Sequence, residues 1–437
     1  MLPDDNAAEM AGLGPVDPET DVEPAPEAPR PAVARSSGEV RPVDNAPDEV
    51  VAEQLRMGRQ GPKSCPVNLD LIFEQDPRWA GRVRFSDLDG RLYLGEERLE
   101  DESVGEARLW LNRVYDITAS MTNVDDALKL VGRRHRFHPI RNYLTSLRWD
   151  GKQRIDQLLR RYAGAEDTPL NRTLGKRFLI GLVARAFLPG CKLDTMLVLF
   201  GRQGTMKSTF LRILAVNDCW FCDTPLDLRS KDAMENIRGK WLVEFQECHT
   251  LLSAPPTRVK AFLSSARDTF RLPYGRRSAD YPRQSAFAGT TNIEEFIEDS
   301  TGSRRFWPVR SGTVDIEALA RDRDQLWAEA VAAFRERERW HLVAEEAAML
   351  ERASVRFRRE DTWKAAVAHW AEGRQAFTTG ETLMGAIGKP LERVRKADEM
   401  RVAEILKELG YRKEQRSVDG IPAHRWYPPK QAIDEAV

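Results

Sequence analysis

Residues 195–214 read TMLVLFGRQGTMKSTFLRIL, and how this stretch folds decides the rest. An apolar run, Met196 to Phe200, enters a loop carrying Gly201 and Gly204. Lys207, Ser208 and Thr209 follow, and an apolar-patterned helix opens there. A strand that feeds a glycine loop and then a helix is the layout of a P-loop. Loop N–H groups and the helix N-terminus face a polyphosphate and favour its negative charge. A lysine at 207 reaches the β- and γ-phosphates, and the Ser208 hydroxyl suits Mg2+. Gly201, Gln203, Gly204, Thr205, Lys207, Ser208 and Thr209 are therefore the expected ATP-binding residues, with Mg2+ on Ser208. The usual pattern is GxxxxGK[ST], and Met206 stands where its second glycine belongs. That departure bears on the rate of hydrolysis more than on binding.

The chain has 437 residues, enough for two or three domains with separate cores. Its formal net charge is -1, so no global basicity points to nucleic acid, although a balanced total can hide basic faces. No apolar run approaches bilayer length, and the acidic start MLPDDNAAEM is unlike a signal peptide. A cytoplasmic protein without a membrane partner is the expectation. Five cysteines, Cys65, Cys191, Cys219, Cys222 and Cys248, are expected to be reduced thiols. Cys219 and Cys222 have metal-ligand spacing, but no second CxxC or spaced His pair completes a zinc site.

Residues 1–50 are acidic and rich in proline and alanine, with little to bury, and are expected to be a disordered tail. Residues 66–190 read as a mainly helical N-terminal domain that includes a hairpin around Asp89-Gly90. From 191 to 345 strands alternate with helices, as an α/β nucleotide domain requires. Trp241–Phe245 and Ser285–Gly289 are core strands, with Phe306–Val309 a further candidate. Arg258–Ser265 is a helix, Phe270–Arg283 an arginine-rich hairpin and Asp315–Arg339 a long helix. Residues 360–430 resemble a winged helix: helices Thr379–Ile387 and Asp398–Leu409, then a hairpin turning at Asp419-Gly420.

A hydrolase also needs a carboxylate to orient water and bear on magnesium. The segment WLVEFQECHT offers Glu244 and Glu247. Glu247, at the end of the apolar run, is the expected water-activating and magnesium-linked carboxylate. Glu244 reads as a second acid or as the buried partner of an arginine, and the odd spacing puts the two on opposite faces of a strand. Asn292 ends the strand Ser285–Gly289 and its GTTN tail, where an amide can hold the attacking water or the γ-phosphate. Arg304 and Arg305 follow, and one of them is the expected arginine finger.

Together these segments resemble the virulence-associated protein E-like family of phages, plasmids and mobile islands, related to the superfamily 3 helicases of the AAA+ class. The resemblance is carried by YLTSLRWDGKQRID (Tyr143 to Asp156), ARAFLPGCKLDTMLVLFGRQGTMKST and GKWLVEFQE (Gly239 to Glu247). RLPYGRRSADYPRQSAFAGTTN (Arg271 to Asn292) and DSTGSRRFWPV (Asp299 to Val309) complete it. It implies a P-loop AAA+ type ATPase core, ATP-driven DNA unwinding in mobile-element replication, and a homo-hexameric ring with sites between subunits. Single-stranded or forked DNA is the implied partner. No primase-like domain is seen ahead of Asn68, so priming is expected from a separate primase or replication protein.

In related helicases a hairpin just before the sensor strand projects into the central channel. Arg276, Arg277 and Arg283 would grip phosphates there and Tyr274 would stack on a base. Lys389, Arg393, Arg395 and Lys396 form a second basic patch, opposed by Asp398, Glu399, Glu404 and Glu408 on the neighbouring helix. The alternative to a helicase or translocase is a non-motor ATP-binding switch or replication initiator that controls assembly or DNA binding, with Met206 as its motivation. A third reading is a DNA-binding adaptor acting through the C-terminal part.

Overall fold

The structure is a computed structural model, and it describes residues 46–228, 232–248, 256–271, 278–297, 304–357, 361–418 and 421–429. The expected tail, apart from its last residues, and the hairpin tip with Tyr274, Arg276 and Arg277 lie outside the described residues. Within residues 1–50 the chain is already helical from Glu49, where Asp48 caps Glu49–Gln54 by accepting from the Val51 N–H. The chain divides into two compact units, one of residues 1–294 with 299–355, the other of residues 295–298 with 356–437.

Two of the hydrophobic clusters formed by the described residues lie in the first unit. The N-terminal one packs helices Pro66–Gln75, Asp101–Tyr115 and Met121–Arg134 around Leu69, Phe73, Leu111, Val124 and Leu128. The expected hairpin is present as Val83–Ser86 paired with Leu92–Leu94. Arg136–Phe137 adds a short parallel strand beside Phe85 and Ser86.

The second cluster surrounds a five-stranded sheet, so the unit is α/β. Its strands are β1 (Met196–Phe200), β2 (Phe221–Cys222), β3 (Leu242–Phe245), β4 (Ala286–Thr291) and β5 (Phe306–Arg310). Their order is β5-β1-β4-β3-β2, and every neighbouring pair is parallel. β1 and β3 are buried at every position, as a parallel sheet covered on both faces demands. The cover comes from helix α1 (Pro169–Phe187), helix α2 (Lys207–Leu214) and helix α3 (Ile316–Arg335). Thr168 and Asp315 cap α1 and α3 by accepting from backbone N–H groups, and Pro169 opens α1 at a position that needs no donor. Three buried indoles are matched to carbonyls: Trp241 to Leu182, Trp327 to Leu214 and Trp340 to Lys192, at 2.9, 3.1 and 2.9 Å. Burying each indole with its N–H bonded gains the apolar contribution without a desolvation penalty.

The second unit contains helices Lys364–Ala371, Thr379–Ile387 and Lys396–Glu408, then the hairpin Arg412–Val418 with Ile421–Tyr427. The first of these helices is not anticipated from sequence. Val367, Leu383, Val402, Leu406 and Trp426 form its core. Thr378 and Glu381 make a reciprocal capping box, and Gly388, at φ 69°, closes the helix in the left-handed region.

Candidate functional site

β1 runs into the glycine loop at the carboxyl end of the sheet, where ligands of open α/β sheets bind. Gly201 has no room for a side chain, because a Cβ would lie 2.7 Å from the Ser311 carbonyl oxygen. Gln203 and Gly204 are exposed at the loop tip, and Gly204 has φ 80°. Met206 sits at φ 64°, in the left-handed region that favours glycine. The departure from GxxxxGK[ST] is thus a departure in residue type, since the backbone takes the shape glycine would allow. Holding a side chain there costs about 1–2 kcal/mol. The thioether accepts from Thr209 Oγ1 at 3.8 Å, and the Met206 side chain stays half-exposed.

Lys207 opens α2 and is buried. Its ammonium donates to the Gly201 and Arg202 carbonyls at 3.0 and 2.8 Å and to Asn292 Oδ1 at 3.0 Å. Thr205 Oγ1 lies 3.4 Å away and itself donates to the Arg202 carbonyl. Burial pulls the ammonium below its ordinary pKa, while Glu247 and Glu244 pull the other way. Asn292 bridges the site: its amide N–H2 donates to Glu247 Oε1 at 3.0 Å while its oxygen serves Lys207.

The two glutamates are placed differently from the sequence expectation. Glu244 lies inside β3, 1% exposed, and its partners are hydroxyls rather than an arginine. Ser208 Oγ and Thr290 Oγ1 each donate to Glu244 Oε1 at 2.6 Å. Burial raises its pKa, against those hydroxyls. Glu244 Oε2 is buried with no hydrogen bond. Glu247 is exposed and lies past the end of β3, in a turn at φ 46°. The face rule for strands therefore does not reach it, and both carboxylates serve the same end of the sheet. Sequence reasoning assigns no role to Thr290. Its signal is register: Ala288 pairs with Glu244, and Thr290, two residues on, shares that face.

The donor set fits a hard divalent cation. Ser208 and Glu244 supply oxygen ligands, and Oε2, which makes no hydrogen bond, has lone pairs to offer beside them. Among the described residues no cluster of three His, Cys, Asp or Glu forms a metal site, and Cys219 and Cys222 are free thiols.

The arginine pair separates. Arg305 is held inside the subunit, its Nε 3.2 Å from Ser264 Oγ and 3.6 Å from Asp194. Arg304 is exposed and has no hydrogen-bond or ion-pair partner among the described residues. Arg283 corrects the DNA-contact expectation. It is 1% exposed, its Nε donates to both Asp268 oxygens at 3.1 and 3.0 Å, and it stacks on Phe262 and Phe287. A guanidinium so enclosed presents nothing to a phosphate. In the C-terminal unit, Lys389 pairs with Asp398 at 2.6 Å and Arg401 with Asp361 at 2.7 Å, so those charges are spent locally. No helix of the described residues is long and apolar enough to cross a membrane.

Comparison with known proteins places this geometry in a family. No curated protein matches the sequence. Two solved forms of the apo NrS-1 C-terminal region are similar, at 12% and 11% identity, each with a TM-score of 0.38. They cover 65% of this chain and 77% and 78% of theirs. The family model of the virulence-associated protein E-like domain matches residues 144–359, a span that contains β1 to β5 and every residue of the site above. Residues 144–359 thus carry a virulence-associated protein E-like domain.

Proposed function

We propose that the chain is an ATP-hydrolysing motor, a helicase or translocase, acting on DNA in the replication of a phage or other mobile element. One observation carries this reading: Lys207, Ser208, Glu244, Thr290 and Asn292 meet at the carboxyl ends of β1, β3 and β4. A P-loop ATPase needs that convergence.

The Lys207 donors are spent on two carbonyls and an amide. A triphosphate adds a charge–charge attraction to the ammonium that neutral carbonyl oxygens lack, so it displaces those partners. Ser208 and Glu244 would hold Mg2+, which when bound neutralises charge on the β- and γ-phosphates. Glu247 orients the attacking water and takes its proton, and Asn292 fixes that carboxylate. Arg304 is the residue offered to a neighbouring subunit's site, since Arg305 is retained by Asp194 and Ser264. A homo-hexameric ring accommodates that exchange. Three helices followed by a hairpin in the C-terminal unit suit a winged-helix-like module. The test is steady-state ATP hydrolysis with Mg2+, with and without single-stranded DNA, coupled to unwinding of a forked duplex. Lys207→Ala removes turnover, and turnover indifferent to DNA removes the motor.

Met206 supports a second reading, a slow ATP-dependent switch or initiator. Assembly that follows ATP binding without multiple-turnover strand displacement would favour it.

A further inference from the structure

A second polar surface lies on the same domain, away from the glycine loop in sequence. Between residues 148 and 161 the chain carries Arg148, Lys152, Arg154, Arg160 and Arg161 against only Asp150 and Asp156. Gln153, Arg154, Gln157, Arg160 and Arg161 line an open cleft of about 480 Å³ into which no carboxylate projects.

This surface is pre-built on α3. The buried Glu329 carboxylate accepts from the Arg154 and Ile155 N–H groups at 2.5 and 3.0 Å. Gln325 accepts from the Asp150 N–H and donates to the Arg148 carbonyl, at 2.9 and 3.1 Å. Asp322 takes the Tyr162 hydroxyl at 2.9 Å. One helix thus anchors the segment at three successive turns. Arg154 is fixed by a two-pronged contact with Asp150, at 2.7 and 2.8 Å.

Two features of the cleft face outward. Arg160 and Arg161 keep 58% and 51% of their side chains exposed, and their partners Asp167 and Asp322 stand 3.6 and 3.0 Å away. Exposed pairs of this kind are weak, so both guanidiniums are available to a stronger anion. Trp149 is 37% exposed, and its indole N–H and Arg154 Nη1 both donate to the Lys152 carbonyl at 3.0 Å. An aromatic face is therefore pinned beside the arginine cleft.

We propose that this face binds single-stranded nucleic acid, with backbone phosphates on Arg160 and Arg161 and a base stacked on Trp149. Phosphate-tracking cations combined with a stacking ring are the chemistry by which single strands are held with little sequence preference. The proposal rests on the nucleic-acid partner of the function above and names a surface for it. It needs no nucleotide turnover, so its failure is separable from failure of the ATPase.

The test is anisotropy of fluorescein-labelled oligo-dT and oligo-rU, each about 20 nucleotides to exceed a typical single-strand site, titrated over a range of salt without ATP. Arg160→Ala with Arg161→Ala is expected to weaken binding and to make the log K against log salt slope shallower by about 1.4, the share of two phosphates. Trp149→Ala is expected to weaken binding about fivefold or more with the slope unchanged. Arg160→Lys with Arg161→Lys keeps the slope, which separates lost charge from a folding defect. Arg108→Ala with Arg113→Ala, two exposed arginines of helix Asp101–Tyr115, leaves affinity and slope intact. The proposal is overturned if the double alanine variant binds like wild type, or if the Arg108/Arg113 pair weakens binding equally. A double variant that keeps its DNA affinity but loses self-association also overturns it, making the face a subunit contact. Tighter binding of dT than rU, or the reverse, names the strand; parallel ATPase rates report on the motor independently.

Discussion

Glu244 and Arg283 are equally hidden, each 1% exposed, and they differ in the completeness of their company. Arg283 lies just ahead of β4, at the amino end of the sheet. Asp268 takes its charge, the Phe262 carbonyl takes another donor, and two aromatic rings cover its faces. Glu244 lies at the carboxyl end. Two hydroxyls share one of its oxygens, and the other oxygen has no hydrogen bond. Burial of an incompletely matched carboxylate costs free energy, which an evolved core tolerates only where something else completes it. The amino end of the sheet is built to stay closed. The carboxyl end keeps one buried carboxylate oxygen, Glu244 Oε2, without a hydrogen bond.

The contrast can be broken first at Lys207. Lys207→Ala is expected to lower Mg-ATP hydrolysis by about 10²-fold or more while the protein still melts cooperatively, read by steady-state turnover alongside a thermal scan. Glu244→Gln is expected to lose a comparable share of Mg2+-dependent hydrolysis yet unfold in urea at the wild-type midpoint or above. A strongly destabilised Glu244→Gln with normal turnover would make Glu244 a structural group like Arg283. Arg283→Ala runs the opposite way. It strands Asp268 in the core, so a loss of about 3–5 kcal/mol in urea unfolding is expected, with the ATP affinity of the folded fraction unchanged.

Met206→Gly sharpens the loop side of the comparison. It relieves a left-handed residue, and after the entropy glycine loses on folding, a gain of about 1 kcal/mol or less is expected in the same urea assay. A faster hydrolysis in that variant would show that Met206 throttles the site. The smallest effect is at Glu329, a buried carboxylate whose Oε2 accepts from two N–H groups. Burial raises its pKa above the ordinary 4.5, so the folded state binds the proton more tightly than the unfolded chain. Stability from this group is present in full below pH 4.5 and lost as pH rises through the raised value. Glu329→Gln carries no such term. The wild-type advantage over Glu329→Gln is therefore expected to shrink as pH rises from 4.5 toward neutrality, by less than about 1 kcal/mol, in paired urea titrations.

Much of this was legible in residue order. Met196–Phe200 is a strand with the same ends that the apolar run marks, and Thr379–Ile387 is a helix between a capping threonine and a glycine stop. Lys207 and Asn292, both marked out in the sequence, come together, and Ser208 lies beside Lys207 at the start of α2. The misses have physical causes. Arg136–Phe137 is too short to show alternation and exists as a strand only because Phe85 and Ser86 lie beside it. Lys364–Ala371 is two turns long, below the length at which periodicity separates a helix from a loop. Glu247 reads as the end of a strand, but β3 stops at Phe245 and leaves it in a positive-φ turn. Arg283 reads with its arginine neighbours, yet Asp268, fifteen residues earlier, is brought to it when Arg267–Arg271 pairs with Ser278–Pro282.

Residue order alone pointed to an α/β core with a glycine loop between a strand and a helix, because apolar runs, glycine and the Lys207-Ser208 pair are local signals whose chemistry does not depend on distant neighbours. Which carboxylate meets Ser208, which arginine is buried and which is exposed, and which hydroxyl faces Glu244 were decided by the folded arrangement. Those relations are set by strand register and by hairpin closure between residues far apart in the chain, and no short window of sequence contains them.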